Sequence, residues 1–243
     1  MRHIADRVHF GRRDRNHLSG GRGLRKRVSA KTKVLGENDR VAAELRSRFA
    51  KRKTLVLNLI SAPGAGKTSL LEESLERFPS ELRTAVLTGD IETDNDAARI
   101  ARSGTPVKQI TTRGSCHLNA QMVGRGLEKL GARDIDILFI ENVGNLVCPA
   151  SFDLGETSKI VVLSVTEGDD KPLKYPATFV KSRLVVINKI DLLPYVEFDL
   201  ARAHENAKRV HPDIDILETS CKTGDGIETW IRWVVERLKA VRS

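Results

Sequence analysis

The chain has 243 residues, 40% hydrophobic and 30% charged, enough for one full core with an appendage. Its formal charge of +9 is unevenly placed: residues 1–53 hold 17 Lys and Arg against 5 Asp and Glu, a net +12, which leaves −3 for the remainder. Three cysteines, an odd number, argue against a disulfide framework, and no apolar run approaches the roughly 20 residues of a membrane span. With no secretory h-region near Met1, a cytoplasmic protein with free thiols and no membrane contact is expected.

Taken in order, residues 1–35 are rich in Arg, Gly and His without sustained periodicity, which predicts a disordered basic arm ahead of one domain over 36–243. Such an arm suits nucleic acid or an acidic partner, but a solvated tail is the simpler reading. Asn38 is placed to cap a helix whose Val41, Leu45 and Phe49 recur at spacing four. From there apolar runs alternate with helical stretches. Strands are predicted near 54–60, 83–88, 107–111, 135–141, 159–165, 184–188 and 215–219, with helices near 69–78, 96–103, 118–130, 199–210 and 227–241. This alternation reads as an α/β fold with a mostly parallel sheet covered on both faces. In the last helix Ile227, Trp230, Ile231, Val234 and Leu238 share one side, which makes Trp230 a core residue.

The first strand runs into Ser61-Ala62-Pro63-Gly64-Ala65-Gly66-Lys67-Thr68, followed by Ser69 at the start of a helix. Strand, glycine-bearing loop, Gly-Lys-Thr and helix form a P-loop. The Pro63–Ser69 loop would surround phosphate oxygens with backbone N–H groups from Gly64 onward, aided by the unsatisfied donors and positive end of the helix. Lys67 would reach the outer phosphates and the Thr68 hydroxyl would ligate Mg²⁺. Ser61 stands where a first glycine is usual, and is small enough for the turn.

Ligands of an open parallel sheet sit at the carboxyl ends of its strands, so those ends carry the chemistry. Glu141, ending an apolar strand in Glu141-Asn142-Val143-Gly144, can hold a Mg²⁺-bound water, and Gly144 lets the backbone approach a terminal phosphate. Asp90 is a second carboxylate for that ion; Glu92, Asp94 and Asp96 are read mostly as solvated carboxylates at a helix start. Asn188-Lys189-Ile190-Asp191 ends a later strand. There Asp191 would accept from the guanine ring N–H and amine, Lys189 would lie along the base or ribose, and Asn188 would tie the loop to the P-loop. Ser220-Cys221-Lys222 would offer backbone N–H groups to the guanine oxygen. A buried carboxylate that adenine would leave unpaired selects GTP over ATP.

Cys116, His117 and Cys148 remain. Thiolates and imidazole suit Ni²⁺ or Zn²⁺ and serve Mg²⁺ poorly, and three ligands leave a coordination position open. Cys148 follows Glu141 by seven residues, so hydrolysis is expected to move its loop and change metal affinity, which should fall as pH drops.

These residues resemble the GTPases that insert nickel into [NiFe]-hydrogenase precursors. The resemblance runs from about Val34 onward. It rests on the P-loop, Gly89-Asp90 with Asn95-Asp96-Ala97, and Gly114-Ser115-Cys116-His117-Leu118. It continues through Glu141-Asn142-Val143-Gly144-Asn145-Leu146-Val147-Cys148-Pro149, Glu167-Gly168-Asp169-Asp170-Lys171 and Lys174-Tyr175-Pro176. It fits the reading of a slow GTPase with GTP/GDP as cofactor, in which Lys67, Thr68, Asp90 and Glu141 are the candidate catalytic and Mg²⁺-binding residues. It further implies a GTP-dependent homodimer, with Ni²⁺ or Zn²⁺ at Cys116, His117 and Cys148 near the subunit interface. Partners would be a small nickel metallochaperone and the hydrogenase large-subunit precursor. Urease-maturation GTPases are similar but usually have Cys-Pro-His where this chain has Cys-His. Some family members carry a metal-binding cysteine or histidine cluster near the N-terminus; here only His3, His9 and His17 precede Cys116.

Overall fold

The computed structural model describes residues 20–90 and 95–243, with side chains from residue 35 onward. Seven strands, β1 (Leu55–Ser61), β2 (Thr84–Asp90), β3 (Val107–Thr111), β4 (Ile137–Glu141), β5 (Ser158–Ser164), β6 (Ser182–Asn188) and β7 (Asp215–Thr219), form one sheet in the order β3-β2-β4-β1-β5-β6-β7. Every pairing is parallel, so the expected mostly parallel sheet is wholly parallel among the described strands. Eight α-helices accompany them among the described residues: α1 (Gly20–Lys51), α2 (Lys67–Leu75), α3 (Asn95–Ala101), α4 (Ala120–Leu130), α5 (Lys171–Lys174), α6 (Pro176–Val180), α7 (Leu200–Val210) and α8 (Ile227–Arg242).

Alternation along the buried strands sorts the apolar side chains into two layers. Leu55, Leu57 and Leu59 of β1 join Val86, Phe139, Ile160 and Val186 beneath α2, α3 and α8. Val56 and Ile60 point the other way, into one cluster with α1 and α4 and another with α6 and α7. Asn58 lies between those two on the same face of β1, fully buried. It is a polar residue in the middle of the central strand.

The strand ends agree with the sequence reading to within two residues, and two elements need correction. The helix bearing Val41, Leu45 and Phe49 begins at Gly20, so helical backbone covers residues 20–35, where disorder is expected. That stretch has no proline, and extending a formed helix costs far less than nucleating one. The remainder of the arm, with His3, His9 and His17, lies outside the described residues, as do Glu92 and Asp94. Asn38 is accordingly no cap of its own helix. It is 1% exposed; its Nδ2 donates to the Asp153 carbonyl at 2.9 Å and its Oδ1 accepts the Ala120 N–H, also at 2.9 Å. It therefore satisfies a free amide at the start of α4 and ties that helix to the loop after Cys148. No described helix is long and apolar enough to cross a membrane.

Trp230 is fully buried, tilted against Phe139 and stacked on Trp233, and its Nε1 donates to Ser74 Oγ at 2.8 Å. Trp230→Ala should therefore lower unfolding free energy by about 3–5 kcal/mol, and Trp230→Phe by about 1 kcal/mol through the lost hydrogen bond. Urea denaturation of both variants measures the difference.

Candidate nucleotide and metal sites

The carboxyl ends of β1, β4 and β2 meet around the glycine loop. Gly64 and Gly66 have φ of 76° and 101°, and Gly66 is the residue that leads into α2. A Cβ on Gly66 would lie 2.4 Å from Asn188 Nδ2, so that position requires glycine both for its backbone and for its neighbour. Gly144 likewise leaves room for backbone: a Cβ there would sit 3.0 Å from Pro63 Cα. The segment after β4 thus rests directly on the P-loop. Ser61 has a task of its own, accepting from Lys67 Nζ at 2.8 Å while donating to the Ala62 carbonyl.

Lys67, Thr68 and Glu141 are all buried. Thr68 Oγ1 donates to Glu141 Oε1 at 2.7 Å, whereas buried Glu141 Oε2 has no hydrogen-bond partner. Loss of solvent pushes the Glu141 carboxyl up to about 7, against the pull of Lys67 and the Thr68 hydroxyl, and burial pushes the Lys67 ammonium down. The ammonium matches an anion and the orphaned carboxylate oxygen matches a cation. Phosphate with Mg²⁺ supplies both. A cavity of ≈ 450 Å³ opens here, lined by Lys67, Thr68, Asp90, Asn142 and Gly144 among others. Asp96 and Arg99 of α3 line it too, so Asp96 faces the site where a solvated carboxylate is expected. Arg99 donates to Ser69 Oγ at 3.1 Å and bridges to Glu72, which orients it from α3 across α2.

A neighbouring cavity of ≈ 410 Å³ shares Gly66, Ser69 and Lys189 with the first and adds Asn188, Asp191, Cys221 and Lys222. Asn188, 1% exposed, donates to the Ala65 carbonyl at 3.0 Å and accepts from Thr219 Oγ1 at 3.1 Å. Lys189, at φ 64°, donates to the Gly64 carbonyl at 2.7 Å. Both residues join the loop after β6 to the P-loop. Asp191 Oδ1 accepts from Ser220 Oγ at 2.6 Å, which holds that carboxylate toward the cavity's far wall. Of the three backbone N–H groups in Ser220-Cys221-Lys222, the first donates to Asp225 O and the third to Ser220 Oγ, because this loop turns on itself. Burial raises the Cys221 thiol to about 11, so it stays protonated.

A second thiol-bearing region is built by the segments that follow β3 and β4. Sγ of Cys116, a ring nitrogen of His117 and Sγ of Cys148 all fall within 4.8 Å of one another, and each residue is half-buried. Tetrahedral bonds of about 2.0–2.3 Å set ligand atoms about 3.3–3.8 Å apart, so small side-chain rotations suffice to close on an ion. Burial lowers the His117 pKa, which favours the neutral imidazole a metal needs. Local sequence builds each half. Gly114 at φ 92° and the Thr112 hydroxyl, donating to the Ser115 carbonyl, turn the chain after β3. Asn145 accepts the N–H groups of Val147 and Cys148, starting a 3₁₀ turn over Cys148–Ser151. His117 stacks on Phe152 at 3.8 Å between centroids, and Asn38 holds the two segments together as described.

Sequence reasoning missed the polar residues that join these sites. Asn142 Oδ1 accepts the Leu118 N–H at 3.1 Å and its Nδ2 donates to Asn58 Oδ1 at 3.2 Å; Asn58 in turn donates to Glu156 Oε1 at 3.2 Å. The available signal was Asn58 itself, the single polar residue inside Leu55–Ile60.

A glycine loop opening a helix beneath a parallel sheet, with a buried Lys-Thr-Glu set beside it, defines a P-loop nucleotide-binding protein. A profile described as the CobW/HypB/UreG nucleotide-binding domain matches residues 55–218. Hydrogenase maturation factor HypB of Escherichia coli K12 is 49% identical over 227 residues, covering 93% of this chain and 78% of that protein. HypB of Helicobacter pylori, solved in complex with nickel, superposes at TM-score 0.80 with 38% identity, covering 84% of this chain and 96% of that one. HypB of Archaeoglobus fulgidus gives TM-score 0.78 at 40% identity, covering 84% of this chain and 100% of the other. The chain belongs to the CobW/HypB/UreG family, among its HypB hydrogenase maturation factors.

A carboxyl that holds its proton to about 7 when folded, and releases it near 4.5 when unfolded, makes the folded state the better proton binder between those values. Stability of the metal- and nucleotide-free protein should therefore fall as pH rises through that window, by about 3 kcal/mol from this group. Glu141→Gln should remove that share of the slope, as read by urea unfolding at pH 5 and pH 8.

Proposed function

We propose that this chain is a slow GTP-hydrolysing switch that carries nickel and releases it during maturation of [NiFe]-hydrogenase. The observation that carries this reading is the metal-ligand cluster. Cys148 sits on the segment that leaves Glu141, the buried carboxylate bonded to Thr68 of the phosphate cavity, and it meets Cys116 and His117 from the loop after β3. A HypB relative solved with nickel supports Ni²⁺ as the cargo, and the soft donor set accepts Zn²⁺ as well. Guanine specificity is assigned to Asp191, with Asn188 and Lys189 fixing its loop and Ser220, Cys221 and Lys222 closing the far side. Pro63–Ser69 and Gly144 enclose the phosphates.

Mg²⁺ would be held by Thr68 and Glu141, with Asp90 on the same cavity wall, and it would supply positive charge where the departing phosphate gains negative charge. The protein's own contribution is Lys67, buried and aimed into the cavity from Ser61, together with the loop's backbone donors. No described side chain stands out as a general base, which suits a timing device with low turnover.

A GTP-dependent homodimer is part of the proposal. Val147, Leu173 and Val180 are exposed apolar residues at 59%, 42% and 54%. They are carried by segments tied to one another near Cys148: Thr178 donates to the Leu146 carbonyl and Lys181 to that of Ala150. Pairing two copies through this apolar face would also close the open side of the metal cluster. Handover partners would be a nickel metallochaperone and the hydrogenase large-subunit precursor, in the cytoplasm.

In cells dependent on this chain, Lys67→Ala should weaken GTP binding by tenfold or more, and Cys148→Ala should weaken Ni²⁺ binding comparably while GTP still binds. Both should lower the nickel content of purified hydrogenase; normal nickel in both would reject the proposal. A variant that loses GTP but keeps full maturation would point instead to a passive metal reservoir.

A further inference from the structure

Resting on that reading, the hydrogen bonds of the buried asparagines say how the nucleotide would act on the metal. Asn142 is 1% exposed and lies directly after Glu141, two residues before Gly144. Its Oδ1 accepts two backbone N–H groups, from Leu118 at 3.1 Å and from Val143 at 3.0 Å. Leu118 immediately follows His117, and its side chain fills the space beside Gly89, where an added Cβ would come within 2.8 Å of Leu118 Cγ. One amide thus spans the segment that rests on the P-loop and the segment that carries two of the three candidate metal ligands.

We propose that Asn142 is the positioning residue that transmits nucleotide state to Cys116 and His117. Its other end is held: Nδ2 donates to Asn58 Oδ1 on β1, and Asn58 is held by Glu156, which also accepts the Leu154 N–H and pairs with Lys159. Because Asn58 sits in the central strand, the amide cannot turn freely to follow either loop. A terminal phosphate that draws Val143 and Gly144 toward the P-loop shifts Asn142 about that anchor. The buried Leu118 N–H keeps its acceptor only if residues 116–118 move with it, since an unpaired buried donor is costly. The distance between the Cys116–His117 pair and Cys148 changes as a result, and metal affinity with it. The Val143 N–H, held by the same oxygen, makes the motion of the two segments a single event.

Ni²⁺ titrations of the full chain with Mg²⁺ and either a non-hydrolysable GTP analogue or GDP test this. The parent should show affinities that differ about tenfold or more between the two nucleotides, within the usual range of coupling. Asn142→Ala should reduce that ratio to less than about twofold while still binding Ni²⁺. Asn58→Ala, which touches neither ligand site, should reduce it in the same direction. A residue with only a stability role would weaken folding and leave the ratio intact, so an unchanged ratio in Asn142→Ala overturns the inference. If that variant fails to fold, amide exchange at Leu118 in the parent decides. Exchange rates that differ between nucleotides support the relay, and equal rates overturn it. A parent with equal Ni²⁺ affinities in both nucleotides instead rejects the nucleotide–metal coupling of the proposed function, and the relay falls with it.

Discussion

Two buried charges set the terms for this structure. Lys67 and Glu141 are 8% and 4% exposed, and neither is neutralised by a direct ion pair with the other. Lys67 has the Ser61 hydroxyl and Glu141 has the Thr68 hydroxyl, neutral partners that only partly offset desolvation. Glu141 ends β4, and Lys67 opens α2 at the end of the loop that leaves β1, the strand paired directly to β4. A site of this kind is kept in a state of unmet demand, which polyanion and divalent cation satisfy together better than either alone. Ligand binding and the stability of the domain are consequently one linked equilibrium.

A second constraint follows from the polar seam through the sheet. Asn58 interrupts an apolar strand, and its burial is tolerable only because both ends of its amide are paired. The seam separates two apolar clusters that would otherwise merge on that face, one with α1 and α4 and the other with α6 and α7. Asn38 performs a parallel task at the edge, joining Ala120 to Asp153. The candidate metal cluster is therefore flanked by two hydrogen-bonded clamps, and its Cys148 opens a 3₁₀ turn that Asn145 holds at its start. Buried amides of this sort fix one arrangement of loops over competing ones, because any other leaves them unpaired.

Most of the fold, and the strand ends where the candidate site residues lie, were legible in the sequence, for a physical reason. A parallel sheet buries its strands on both faces, so each appears as a short apolar run, and its functional residues fall at the next one or two positions. That rule locates Glu141, Asn188 and Asp90 without knowledge of strand order. What it does not show is contact between segments far apart in sequence. Asn38 looks like a helix cap by its local spacing, yet serves the N-terminus of a different helix. Asp96 looks like a solvated first-turn carboxylate, yet faces the phosphate cavity because α3 packs beside α2. The turns at Cys148–Ser151 and Ile190–Tyr195 are too short to leave a periodic signal, being set by Asn145 and by Lys189 at positive φ.

The three cysteines divide by environment, which separates the donors suited to a hard cation from those suited to a soft one. Cys221 lies against the base cavity within reach of Asn188, and burial raises its thiol to about 11. A protonated thiol is a poor ligand, so the nucleotide side offers incoming soft ions no thiolate. Around the phosphates the donors are hydroxyl and carboxylate oxygens, which prefer Mg²⁺. Cys116 and Cys148 lie apart from the base cavity's lining, each half-buried and within 4.8 Å of an imidazole whose pKa burial lowers. The thiol and imidazole donors suited to soft cations thus lie apart from the oxygen donors suited to hard ones. Separation by donor type needs no moving part; in the proposed function only release of the cargo would require the two sides to communicate, and the Asn142 amide joins the segments that carry them.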